Sequence, residues 1–309
     1  MWSGILFTVL VLLILFFLWV AAYDGNRFEV TSYRIETDKV SREHTLVFLT
    51  DLHNHAYGED NERLLNAVNT IGPEAVLVGG DVINAGKRRF SKKPTGFGHS
   101  VKLLKALAAR YPLYFAEGNH EQRSREHEDY YRGLYSSFAK ELGVSGNSEK
   151  GAGEQAQKIT YLLNDTVRTE DGEIIVTGFS MDLEYYKKFR ERRFREGYMK
   201  EVLGERDKSA FSILLAHNPE YFEEYAAWDP DLVLSGHVHG GVVRLPFLGG
   251  VIAPSLRIFP HYDAGLFEEF GHKMILGRGL GMHTIPIRIF NPGELIRLEI
   301  VPVSGSSSE

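Results

Sequence analysis

Apolar residues fall along this chain in three patterns. The first is unbroken: from Gly4 to Ala22 the only polar side chain is Thr8. Such a run predicts one helix about 28 Å long, roughly one hydrocarbon core. The second is a set of short continuous runs, Leu46–Thr50, Ala75–Val78, Leu113–Ala116, Ile213–Ala216 and Leu232–Ser235. Runs of this length read as strands covered on both faces. The third is periodic. Helical spacing covers Asn61–Thr70, Val101–Arg110, Tyr130–Leu142, Glu184–Leu203 and Glu220–Ala227. Two-residue alternation covers Ile174–Gly178, Met274–Leu276, Ile285–Phe290 and Leu295–Val301. Pro73 and Pro112 stand between a helix and the next strand. Strands with intervening helices predict a layered α/β fold from about Thr31 onward. Residues 145–158 read as a Gly-rich loop and residues 304–309 as a low-complexity tail.

Each short apolar run ends in a polar segment. In order, the segments are Asp51-Leu52-His53, Gly80-Asp81, Gly118-Asn119-His120-Glu121, His217 and Gly236-His237-Val238-His239. Ligands gather at the carboxyl ends of strands in open α/β sheets, so one sheet edge collects two Asp, one Asn and five His. That donor set suits a pair of metal ions. Taken singly, most of these segments carry little. An Asp-x-His triplet is common, Gly-Asp serves as a turn, and a lone histidine is more often a hydrogen-bonded core residue. Gly-Asn-His and Gly-His-Val-His have force alone, because glycine permits the sharp turns on which the donors converge. All of them in order, each after a strand, are not coincidence.

Composition narrows the chemistry. The chain of 309 residues is 43% apolar and 25% charged, which is globular. A formal net charge of -6 gives no support for a nucleic-acid surface. The absence of cysteine excludes disulfides, thiolate ligands and a thiol nucleophile, so any metal is held by nitrogen and oxygen. No Lys or Arg precedes the first apolar run, which is also longer than a signal-peptide core, and Trp2, Trp19 and Tyr23 suit its two interfaces. It therefore reads as an uncleaved single-pass anchor. Arg27, Arg34, Lys39 and Arg42 come after it but alternate with acidic residues, which leaves the side of the catalytic domain open. The predicted division is 1–23 anchor, 24–44 linker and first strand, 45–303 catalytic domain and 304–309 tail.

In this order, D-x-H, G-D, G-N-H-[DE], H and G-H-x-H, the chain resembles the calcineurin-like metallophosphoesterases, over about Thr45 to Val301. The Gly240-Gly241 pair, the turn Gly277–Gly281 and Pro286–Arg288 resemble a membrane-anchored bacterial subgroup. The resemblance implies a four-layer α-β-β-α sandwich, here preceded by the transmembrane helix. It assigns Asp51, His53, Asp81 and His239 to one metal; Asp81 also reaches a second, completed by Asn119, His217 and His237. It implies that a hydroxide shared by two divalent ions attacks phosphorus, with His120 as acid and Glu121 orienting its neighbours by hydrogen bonds. The ions are Mn, Fe or Zn.

Some residues lie outside that pattern. His55 reads as a cap on the following helix or a substrate contact. The loop Gly86–Gly98 carries five basic residues, of which Arg88 and Arg89 are candidates to meet a phosphate. Arg244, Arg278 and Arg288 read equally as phosphate ligands or as salt-bridge partners. His99, His127, His261, His272 and His283 have no motif partners. The anchor favours a lipid-linked phosphodiester or pyrophosphate substrate, and no obligate protein partner is implied. The alternatives are a broad phosphomonoesterase of the cell envelope and a noncatalytic scaffold. The last is disfavoured because no ligand position is lost.

Overall fold

The computed structural model describes residues 2–85, 96–144, 159–187, 193–245, 248–252, 258–282 and 286–303. Arg88 and Arg89, most of their basic loop, His283, the 145–158 loop and the tail lie outside the described residues.

Two six-stranded sheets face one another. In the first, His44–Leu49, Ala75–Val78, Leu113–Phe115 and Ile159–Tyr161 run parallel. The long strand Gly293–Pro302 lies antiparallel to His44–Leu49 and carries Phe28–Thr37 beside it in parallel. In the second, Ile174–Phe179, Phe211–Ala216, Leu232–Ser235 and His272–Leu276 run parallel, with an antiparallel strand at each edge.

Strand alternation sorts the apolar side chains into layers. Leu46, Phe48 and Leu77 of the first sheet meet Val176, Ile213, Leu215 and Leu234 of the second in one buried cluster. Their neighbours Val47, Leu49, Val76 and Phe115 point outward against Leu64 and Val68 of helix Glu62–Ile71, Leu104 of Gly98–Ala108 and Phe138 of Leu134–Leu142. On the other side Leu214 and Val233 pack against Tyr198, Phe222 and Tyr225. The order is α-β-β-α, and covering both faces of each sheet is why the strands read as unbroken apolar runs. At the amino ends of the strands His44 ties the sheets together, with Nδ1 3.0 Å from Glu74 and Nε2 2.7 Å from Glu173.

Three predicted elements differ. Tyr130–Leu142 is two helices, Glu128–Tyr131 and Leu134–Leu142, because Arg132 and Gly133 turn left-handed at φ 54° and 69°. Of Glu184–Leu203, only a single turn at Leu183–Tyr186 and the helix Tyr198–Leu203 are helical among the described residues. Around Ile289 the alternation of Ile285–Phe290 gives one isolated bridge to Val243, not a strand. Its inward residue is Arg288, which is 2% exposed.

The first apolar run is the helix Trp2–Gly25, exposed along nearly its whole length. Its last turn is not free. Asp24 is buried and accepts from the backbone N–H of Asn291 at 3.1 Å and from Arg27 Nε at 2.9 Å. Higher up, the ring of Phe290 lies 6.4 Å from Phe16 and 6.3 Å from Phe17.

Candidate metal centre

Asp51, His53, Asp81, Asn119, His217, His237 and His239 meet where the carboxyl ends of both sheets come together. Backbone turns of an uncommon kind bring them there. Asp51, His53, Asp81, His237 and His239 all have positive φ, between 45° and 74°. Each such residue costs about 1–2 kcal/mol, and a cluster of them at one place is strain held for function. Glycines make the approach close. At Gly80, φ 91°, a Cβ would lie 2.2 Å from the backbone nitrogen of Gly118. At Gly236 it would lie 2.2 Å from Asp51 Oδ2.

The donors fall into groups around shared centres. Asp51, His53 and His239 form one, Asp81, His217 and His237 another, and His53, Asp81 and His120 a third. The imidazole Nε2 atoms of His53 and His239 face each other at 3.1 Å. Asp51 Oδ1 lies 3.3 Å from His239 Nε2 and 3.8 Å from His53 Nε2. Ligands about 2.0–2.1 Å from one tetrahedral ion stand roughly 3.4 Å apart, so these three atoms have the spacing a cation between them requires. Asp81 Oδ2 is 3.1 Å from His217 Nε2 and 3.9 Å from His53 Nε2, so one carboxylate reaches donors of both groups.

The rings are oriented from behind. His217 Nδ1 is 2.7 Å from the carbonyl of Gly79, and His53 Nδ1 is 3.3 Å from that of Ile83. Donation from Nδ1–H to a carbonyl leaves each Nε2 lone pair for a metal. His120 is turned the other way. The Ala85 N–H donates to its Nδ1 at 3.0 Å, so the neutral ring carries its proton on Nε2, 4.0 Å from Asp81 Oδ2.

Two buried atoms test whether a cation fits. Asn119 Oδ1 has no hydrogen-bond partner among the described residues, and neither has His217 Nε2, which lies near Asp81 without hydrogen-bond geometry. His217 belongs to the second group. Burial of such atoms costs about 1–3 kcal/mol each unless something ligates them, so the residues fit divalent cations.

Electrostatics agree. Burial pushes the Asp51 carboxyl up to about 6 against the pull of His217. Burial also opposes ionisation of Asp81, but His217 and His120 outweigh it and hold that carboxyl well below the usual range. Burial lowers His217, yet Asp81 and Asp51 more than offset it and raise the ring to about 10. A cation bound at His217 Nε2 would therefore displace a proton. Glu121 accepts from the N–H groups of Asp81, Gly118 and Ile83 at 2.8, 2.9 and 3.0 Å, bracing two of the turns. Its burial and the nearby Asp81 charge push it up to about 8, against those donors.

Residues outside the donor set surround it in different ways. His55 caps no helix: the residue before Glu62–Ile71 is Asn61, and the His55 ring stacks edge-on against Tyr57 at 4.7 Å. Among the described residues its Nε2 is buried without a hydrogen-bond partner, and burial, with Arg288 and His99 nearby, pushes the ring down to about 4. Arg288 makes no salt bridge among the described residues. It donates to the carbonyls of Arg278, Gly279 and Gly281 at 3.0, 3.0 and 2.6 Å and so builds the turn lying against Asp51. Arg278 pairs with Glu294 and Arg244 with Asp263. Asn291 has no signal in the sequence: it is fully buried and its amide donates to the carbonyls of His239 and Gly241 at 2.8 and 2.5 Å. Tyr186 is hidden in a predicted helix; its ring lies 5.4 Å from His237.

Residues 44–241 match the family model described as calcineurin-like phosphoesterase. An uncharacterized metallophosphoesterase of Helicobacter pylori is 27% identical, over 94% of this chain and 69% of its own. An uncharacterized protein of Bacillus subtilis, YpbG, is 26% identical over 87% of this chain and 85% of its own. A transmembrane protein with metallophosphoesterase domain from Danio rerio is 27% identical over 82% of this chain and 52% of its own.

Proposed function

The chain belongs to the calcineurin-like phosphoesterase family and is a metal-dependent phosphoesterase, and from that premise we propose that it is a membrane-anchored, dinuclear hydrolase of phosphodiester or pyrophosphate bonds. The observation that carries two ions rather than one is the position of Asp81, whose Oδ2 lies within 4 Å of Nε2 atoms from both ligand groups. Asp51, His53, Asp81 and His239 would hold one ion, and Asp81, Asn119, His217 and His237 the other. Bound divalent cations supply Lewis acidity toward a water and toward the phosphoryl oxygens. The residues do the rest. A bond forms from water oxygen to phosphorus, the ester P–O bond breaks, the proton the water loses ends on the departing oxygen, and the Nε2–H of His120 donates a hydrogen bond that stabilises the charge growing there. Asp51, fixed by the His237 N–H at 3.0 Å and Thr50 Oγ1 at 2.9 Å, and Asp81, fixed by the His120 N–H at 2.7 Å, keep the donor frame rigid.

The helix Trp2–Gly25, with no charge before Asp24, supports the anchor, as does the transmembrane character in the name of the Danio rerio relative. The test is a substrate panel on the purified full chain loaded with Mn, Fe or Zn. Turnover of bis(p-nitrophenyl) phosphate well above p-nitrophenyl phosphate is expected. The reverse preference moves the assignment to a phosphomonoesterase, and no metal-dependent turnover of either removes it.

A further inference from the structure

The backbone beyond the last metal-binding motif forms a small ladder of its own. Arg244–Leu245 pairs with Gly249–Gly250, Val243 bridges Ile289, and Ile252 bridges Ile258. Its outer side chains are apolar and in water: Leu245, Leu248, Ile258, Phe259, Ile287 and Phe290 are all exposed. Two of them are also strained. Phe259 and Phe290 sit at φ 48° and 53°, a left-handed conformation that bulky side chains rarely adopt. An exposed apolar patch of this kind calls for a partner other than water.

The position of Phe290 supplies the missing solvent. Its ring touches Phe16 and Phe17, eight and nine residues before the end of the anchor helix at Gly25. At 1.5 Å per residue that contact lies about 12–13 Å along the helix from its end. A helix that spans the bilayer carries Phe17 inside the apolar layer and takes Phe290 with it. The ladder is equally close to the donors, since Asn291 bonds both Asp24 of the anchor and the carbonyl of His239. The apolar rim and the candidate metal centre are therefore at the same end of the molecule, next to the membrane.

We propose that this rim inserts into the lipid bilayer and that the site takes a phosphoester carried at headgroup level by a membrane-resident amphiphile. Exposed apolar patches beside a span mark such contacts, and aromatic residues favour the interface. The inference rests on the anchored-hydrolase reading, and its test separates the two.

The chain has no cysteine, so Leu12→Cys, Ile258→Cys and Glu205→Cys each give one labelling position. Glu205 precedes strand Phe211–Ala216 at the end away from the site. Full-length protein in vesicles of equal phosphatidylcholine and phosphatidylglycerol would carry an environment-sensitive fluorophore at each. Quenching by nitroxide lipids at residues 12 and 258, with residue 205 quenched only by aqueous iodide, is the expected result. An aqueous label at residue 12 overturns the anchor and this proposal with it. A protected residue 12 with an aqueous residue 258 overturns this proposal alone. Protection at 258 that persists in detergent and rises with protein concentration assigns the rim to a second copy of the chain and overturns it too. The combined variant Leu248→Ser, Ile258→Ser, Phe259→Ser should turn over bis(p-nitrophenyl) phosphate within about twofold of the unsubstituted chain. It should lose about tenfold or more on a vesicle-embedded diacylglycerol p-nitrophenyl phosphodiester. Equal rates on the embedded ester, or none by the unsubstituted chain, would sink the substrate assignment.

Discussion

Asp81 lies against His53, His120 and His217, so its substitution separates the mechanism from the fold sharply. Asp81→Asn removes the negative charge between the two ligand groups while keeping the volume. Metal content by mass spectrometry should fall by about one ion, and diester turnover by about 10²-fold or more. His120→Asn should keep the metals and lose about 10²–10⁴-fold with alkyl leaving groups, far less with p-nitrophenol, which departs without a proton. The His217 ring, held at about 10 in the metal-free site, gives a pH dependence with a definite sign. At neutral pH it is protonated, and a cation must displace that proton. Metal affinity should therefore fall as pH drops, and titration calorimetry in two buffers of different ionisation enthalpy should show protons released on loading. Conversely, the stabilisation of the apo fold by this imidazolium is full below about pH 6.5, declines above it and is gone above about 10. The donor types at this scale were legible, because Asp and His after buried strands have few other reasons to cluster. The residues that hold the donors were not. Asn291 acts through carbonyls 50 and 52 residues away and Arg288 through a turn seven to ten residues before it, and no local pattern announces either.

At the scale of elements, close packing of turns does what metal ligation alone cannot. Gly80 and Gly118 approach so nearly that Gly80→Ala would drive a methyl into the Gly118 nitrogen while forcing alanine to φ 91°. The expected loss is about 1–3 kcal/mol by urea denaturation, with metal binding weakened as the Asp81 and Asn119 turns part. Runs buried on both faces, such as Ala75–Val78 and Leu232–Ser235, were readable because their period is unambiguous once length is considered. Helix Asn119–Glu126 was not, although it begins at a candidate ligand. Its sequence Asn-His-Glu-Gln-Arg-Ser-Arg-Glu has no apolar stripe, and the buried polar face it presents to the site mimics a loop. The predicted helix from Glu184 failed for the opposite reason. Abundant Glu, Lys and Arg carry helix propensity, but the described residues around Phe194 instead stack aromatic rings, Phe194 on Tyr221 at 4.5 Å.

Over the whole molecule, the first and last strands lie side by side for their full length, Phe28 opposite Gly293 and Thr37 opposite Pro302. The strand that follows helix Trp2–Gly25 is thus structural, with Ile35 buried in the layer between the sheets. Ile35→Ala should cost about 2–5 kcal/mol, read as a lower urea midpoint, with no change in metal stoichiometry of the folded fraction. The pairing also sets a timetable. About 265 residues separate Phe28 from its partner, so at roughly 5–20 residues per second the first strand waits some 13–50 s of synthesis for its neighbour. During that interval a β edge with unmet hydrogen bonds stands open to pairing with another nascent chain. Birth, more than the folded state, is the stage at which this protein depends on being kept apart from its own copies.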